Sequence, residues 1–233
     1  MVSIDTVYQR VLALANKEQR GYITPQEFNL FANQAQMDIF EQYFYDLNQF
    51  SRVPGNSTRH SDIIEILNDK INAFQVNFET SSTALAKSYI IPLDCYRIDH
   101  VQLMNHPSGR REIEKISHRE HLLKLISPLL KATNERPSYL IMGDTIHIQT
   151  GDIVPRMNLV YIRKPVKAEW SGFNVSGSDL YDSTNSVDFE LHPSEETKLV
   201  IKILQLAGIA MKDPNLYQVG AAEDNKNIQQ EKQ

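Results

Sequence analysis

One cysteine and one tryptophan occur in 233 residues. Cys95 has no partner for an internal disulfide and cannot alone build a thiolate zinc site. It sits in Leu93-Asp94-Cys95-Tyr96, where the expected role is that of a small buried hydrophobe. No apolar run reaches the length that crosses a bilayer, so no membrane contact is expected. Met1-Val2-Ser3-Ile4-Asp5 lacks a basic start followed by an apolar stretch, and no secretory signal is read there. The expectation is a protein made and used in a cytosol, or built into something assembled there. A basic surplus is missing too: 24 Lys and Arg face 29 Asp and Glu, a net charge of −5. Arg110-Arg111 is the densest basic spot, and Glu112 and Glu114 follow it. Tight binding to duplex DNA needs a basic patch that displaces counterions and is not expected. A wall that only surrounds moving DNA needs no such patch.

The motifs of common chemistries are equally scarce. There is no G-x-x-x-x-G-K-[ST] or G-x-G-x-x-G cradle and no His-Glu-x-x-His. There is no G-x-S-x-G elbow. Gly21-Tyr22-Ile23-Thr24 lacks the alternating Asp/Asn ligands of a calcium loop. His118 and His121 lie one helical turn apart and form the one pair suited to sharing a metal. A catalytic zinc needs three protein ligands, and no carboxylate or thiol joins them at a recognisable spacing. The expectation is therefore no catalytic residue, no cofactor and no metal. The alternatives are a small metal-dependent hydrolase using His118, His121 and a distant carboxylate, or a protein-binding module. Asn174-Val175-Ser176 fits the glycosylation sequon, which carries no weight without secretion.

Hydrophobic content of 41% and charged content of 23% are those of a globular chain. The length allows one large domain or two small ones. Val7, Val11, Leu14 and Ala15 fall on one helical face, and Gly21 suits a left-handed cap. Thr24, Pro25 and Glu27 form a capping box, with Ile23 and Phe28 placed as a staple. They open a helix from about Pro25 to Phe50. Phe28, Ala32, Ala35 and Ile39 stripe it, and Phe31, Phe40, Phe44 and Leu47 widen the stripe. A stripe this wide implies more than one neighbour. After a loop at 51–58, a third helix is expected from about Ser61 to Phe78, and Glu79 to Lys87 reads as a connector.

The period then turns extended. Strands are expected at Tyr89-Ile90-Ile91, at Tyr96 to Met104, and on both sides of the Gly143-Asp144 turn. Met157 to Arg163 supplies a third strand of this meander. Ser117 opens a short helix that Pro128 ends. Ser171 to Ser186 reads as a long loop and Asp188 to Leu191 as a short strand. A last helix, apolar around most of its circumference, ends before Asp213-Pro214. The tail from Gln218 has almost nothing to bury. The fold class is α+β: a bundle of three N-terminal helices and one C-terminal helix, with a central antiparallel β meander or sandwich. The expected divisions are 1–87, 88–170, 171–192, 193–217 and 218–233.

Four phrases, in order, carry a resemblance. They are Asn16-Lys17 with Gly21-Tyr22-Ile23-Thr24-Pro25; Ile91-Pro92-Leu93-Asp94; Arg136-Pro137-Ser138-Tyr139 with Gly143-Asp144-Thr145-Ile146 and Tyr161-Ile162-Arg163-Lys164-Pro165; and Phe189-Glu190-Leu191-His192-Pro193 leading to Ala207-Gly208-Ile209-Ala210. Together they resemble the adaptor or ring proteins of podovirus-type tailed bacteriophages, including crAss-like phages and the tail-tubular family. The resemblance implies a virion protein of the head–tail connector, assembled in the host bacterial cytoplasm. It implies a homo-oligomeric ring, dodecameric, stacked on the portal and on neighbouring tail proteins, with genomic DNA passing through unbound. The expected subunit or ring contacts are Phe31, Phe40, Phe44, Phe173, Leu180, Tyr181, Leu216 and Tyr217. The loop 171–186 and the tail departing from Gln218 match no phrase of the family.

Overall fold

The computed structural model describes residues 1–17, 23–52, 58–80, 87–104, 109–151, 156–175, 178–210 and 222. The expectations for Gly21, for the tail from 218 and for most of the connectors at 51–58 and 79–87 lie outside these residues. The fold is α+β, and the described chain forms two compact units. One combines Met1–Lys70 with Pro165–Gln233, and the other is the insert Ile71–Lys164. The two units meet at 70/71 and 164/165, whereas the divisions expected from the sequence lie at 87/88 and 170/171. Among the described residues no helix is long and apolar enough to cross a membrane.

The first unit is a bundle of α1 (Ile4–Lys17), α2 (Pro25–Arg52), most of α3 (Thr58–Asn72) and α5 (Glu196–Ala210). Both α1 and α2 pack on α5. Val7, Val11 and Ala15 are buried on α1, whereas Leu14 is exposed, because the covered face also takes Ile4 and Tyr8 and leaves Leu14 at its rim. The capping box of α2 is formed: Thr24 N–H donates to Glu27 Oε2 at 3.0 Å, and Glu27 N–H donates to Thr24 Oγ1 at 3.3 Å. Ile23 and Phe28 are both buried, as a staple requires. Phe28, Ala32, Ala35 and Ile39 are fully covered.

A row of amides on α2 holds the extended segment 166–170. Asn33 donates to the Ala168 carbonyl at 2.8 Å and accepts from the Ala168 N–H at 2.9 Å. Asn29 repeats the pattern on Trp170, at 3.0 and 2.8 Å. Gln36 donates to the Val166 carbonyl at 2.8 Å. Positions i, i+4 and i+7 of a helix share one face, and alternate residues of an extended chain share one side. The helix therefore stands where a neighbouring strand would.

Residues 171–186, expected as a structureless loop, form a hairpin of β9 (Gly172–Val175) and β10 (Ser178–Tyr181). Gly172 is required there, since a Cβ would come within 2.6 Å of the Trp170 ring. The strand expected at 188–191 is instead an isolated bridge of Phe189 to Val2. Its apolar residues, Phe189 and Leu191, are fully buried.

The second unit is a two-sheet β structure. The strands are β1 (Gln75–Thr80), β2 (Ser88–Ile90), β3 (Cys95–Leu103), β4 (Arg111–Glu112), β5 (Glu114–Lys115), β6 (Ser138–Met142), β7 (Thr145–Gln149) and β8 (Met157–Arg163). One sheet runs β1-β8-β3-β4, and the other β2-β7-β6-β5. Two expectations are corrected. The third helix stops at Asn72, and Gln75 to Thr80 pair with β8. The strand at 157–163 does not continue the β6–β7 hairpin but lies in the other sheet between β1 and β3. The hairpin turn itself is as expected, with Gly143 at φ +58°. Leu103, Met157 and Leu159 of one sheet and Ile146 and Ile148 of the other share one core cluster. At its edge Tyr161 donates to the Asp94 carboxylate at 3.1 Å, and burial followed by this bond pushes its pKa up to about 12.

Candidate functional site

The feature that the fold leaves unresolved is α4 (His118–Ile126), in the second unit. Its start is well made. Ser117 accepts from Glu120 N–H at 3.3 Å, and Glu120 Oε2 accepts from Ser117 N–H at 2.7 Å. Those bonds hold the Glu120 carboxyl below the usual carboxylate range. Its side chains are another matter, because none of its residues is buried. Leu122 is 49% exposed, Leu123 51%, Leu125 66% and Ile126 79%. The turn that follows adds Leu129 at 94% and Leu130 at 56%. Single exposed leucines are ordinary, but six exposed large aliphatics within nine residues are not, and exposed apolar clusters are characteristic of interaction surfaces. A helix of nine residues is also too short to persist in water by propensity alone. The sequence carried the signal. Leu122-Leu123-Lys124-Leu125-Ile126-Ser127-Pro128-Leu129-Leu130 packs six large aliphatics into nine positions, more than one covered face of a short helix takes.

The residues expected at ring contacts fall into different environments. Phe40 is fully buried in the chain's own core, so its expected role as a contact is corrected. Much of the wide stripe on α2, from Phe28 to Phe40, is covered by the chain's own elements. Phe31 and Phe44 are half-buried, with Phe44 edge-on to Phe40 at 5.1 Å. Phe173 and Leu180 stand opposite each other across the β9–β10 hairpin and are 51% and 47% exposed. Tyr181 is half-buried, its ring 6.1 Å from that of Trp170. Leu216 and Tyr217 lie outside the described residues.

A second surface lies in the helical unit. Tyr43, Asp46, Phe50, Ile63, Ile66, Leu67 and Lys70 line a cleft of about 170 Å³ beside Glu195 and Lys198. Its floor is charged but compensated. Lys70 Nζ meets Glu195 Oε1 at 2.5 Å and sits 5.4 Å from the centre of the Tyr43 ring. Gln42 donates to the buried Asp46 at 2.9 Å. On α3, Asp62, Glu65 and Asp69 are exposed at positions next in sequence to the lining residues Ile63, Ile66 and Lys70, and Ile66 is itself exposed.

The histidines give less. The rings of His118 and His121 are 6.2 Å apart, and His121 Nδ1 is engaged by the Gln149 side chain. Among the described residues no group of three His, Cys, Asp or Glu gathers to hold a metal. His100 lies 3.1 Å from Glu112 and 3.5 Å from Asp99, along an open groove of about 1040 Å³. All three are exposed and solvated. The edge of β3 along this groove is blunted by register shifts at Cys95/Arg97 and Ile98/His100. Cys95 is half-buried, and burial raises its thiol pKa. No protein-family model and no curated protein matches the chain.

Proposed function

We propose that this chain is a non-catalytic structural subunit that joins copies of itself into a ring at the head–tail junction of a tailed bacteriophage, around the channel for the genome. The observation that carries the reading is the uncovered aliphatic segment from Leu122 to Leu130. Two compact units with filled interiors still leave this cluster in water, and covering it in an assembly recovers about 25 cal/mol for each Å² removed from solvent. The order of the four phrases supports the phage assignment. The net charge of −5 suits a conduit that must not retain DNA. A cyclic ring uses one heterologous contact repeated until it closes.

The test is composition of the particle. Virions purified from the phage that encodes this chain are expected to contain it at the copy number of a ring, in fixed ratio to the portal. Absence from purified virions, or a few copies unrelated to the portal, overturns the reading.

A further inference from the structure

The ring reading requires a contact but does not say which surfaces make it. Resting on that reading, we propose that residues 118–131 are the plug by which one copy seats on a second copy, and that the socket is the α2–α3 cleft with its acidic rim. Three observations select this pair.

The first is shape and polarity. Leu122, Leu125 and Ile126 share one face of α4 and are exposed, and Leu129 is exposed in the turn just beyond it, so together they present an apolar surface. The cleft beside α3 is the concave apolar counterpart, with Ile66 exposed at its lip.

The second is charge. The plug carries Arg119, Lys124 and Lys131 against Glu120, and the Glu120 carboxylate is already engaged by the Ser117 cap. Asp62, Glu65 and Asp69 recur along the exposed face of α3, and Lys70 beside them is neutralised by Glu195. Plug against socket sets opposite charges together. Plug against plug would oppose two basic surfaces, which argues against a two-fold pairing through α4.

The third is symmetry. Plug and socket are different surfaces, one on each unit. Each subunit therefore offers one of each to its neighbours, which is the heterologous contact that generates rings.

The test uses the full chain and reads mass by sedimentation equilibrium over rising concentration. The wild type is expected to associate. Leu125→Glu with Leu129→Glu is expected to weaken association about a hundredfold. Reversing the rim with Asp62→Lys, Glu65→Lys and Asp69→Lys is expected to weaken it comparably. Adding Arg119→Glu, Lys124→Glu and Lys131→Glu to the reversed rim is expected to restore it. An equimolar mixture of the plug variant and the rim variant retains one good plug and one good socket, and so is expected to stop at heterodimers. Circular dichroism melts and Trp170 emission check that each variant is folded.

A wild type that stays monomeric throughout overturns the proposal, as does a plug variant that associates like the wild type. A rim reversal without effect assigns the plug to another partner and also overturns it. These outcomes are separable from failure of the ring reading. Virions holding the chain at ring copy number, with plug variants still incorporated, would sink the contact and keep the ring. Association through the plug by a chain absent from virions would keep the contact and sink the phage role.

Discussion

The Tyr161 hydroxyl is held neutral by burial and by its bond to Asp94, which lift its pKa to about 12 against an ordinary value of 10.0. A phenol that keeps its proton in the folded chain and loses it in the unfolded one stabilises the fold below the unfolded value. That contribution is lost as pH rises from about 10 to about 12, because over this window the folded state binds the extra proton. Chemical denaturation of the wild type is therefore expected to show a loss of stability over this window that Tyr161→Phe lacks. At neutral pH the same substitution is expected to cost about 1 kcal/mol for the missing bond. Parallel pH profiles for the two proteins would mean that Tyr161 ionises as freely folded as unfolded. On the acid side the signs reverse. Glu27 and Glu120 have lowered pKa values because cap N–H groups bond the carboxylates. Their support is present above the ordinary 4.5 and fades as pH falls through the lowered folded value.

At the scale of elements, the amide row on α2 makes the extended segment 166–170 part of the helical unit. Asn33→Ala leaves the carbonyl and N–H of the buried Ala168 without their partner in a part-buried contact, and an orphaned buried group costs about 1–3 kcal/mol. Urea unfolding followed by Trp170 emission is expected to show that loss, and Asn33→Asp, which keeps the acceptor alone, is expected to fall between. An unchanged midpoint for Asn33→Ala would mean that the segment is held by its side chains alone. Nothing local in the sequence announces this contact, since Asn33 and Ala168 are 135 residues apart. What was legible was whatever a few neighbouring residues decide. Both capping boxes, the Gly143-Asp144 turn and the apolar α5 belong to that kind. The end of α3 was not, because Ile71, Phe74 and Phe78 fit a helical stripe while Val76 and Phe78 fit strand alternation equally well. Only pairing with β8 settles the ambiguity in favour of a strand. The hairpin at 172–181 was hidden for a similar reason, its Ser, Gly, Asp and Asn being loop formers taken singly. The candidate contacts show the complementary error. The width of the α2 stripe says how much must be covered and not by what, and Phe40 is covered within the chain itself.

At the scale of the whole chain, the β unit is an insertion with adjacent ends. Arg163 N–H donates to the Phe74 carbonyl at 2.9 Å, and Gln75 stands opposite Ile162. The unit also holds its own core, in which Leu103, Ile146, Met157 and Leu159 are fully covered. A segment whose termini meet and whose interior is its own satisfies the conditions for folding alone, and for removal without breaking its host. Residues 71–164 made as a separate polypeptide are expected to give a β-rich circular dichroism spectrum and one cooperative melt. The remainder, with residue 70 joined to residue 165 by a short Gly/Ser linker, is expected to stay helical with Trp170 emission blue-shifted by burial, since that ring is 3% exposed among helical-unit residues such as Tyr8. The two pieces also divide plug from socket. The β fragment is then expected to bind the helical fragment in trans, and the binding is expected to disappear when the β fragment carries Leu125→Glu and Leu129→Glu. A β fragment that melts without cooperativity would show that the insertion depends on its host for its core, and would count against treating the two units as separate bodies.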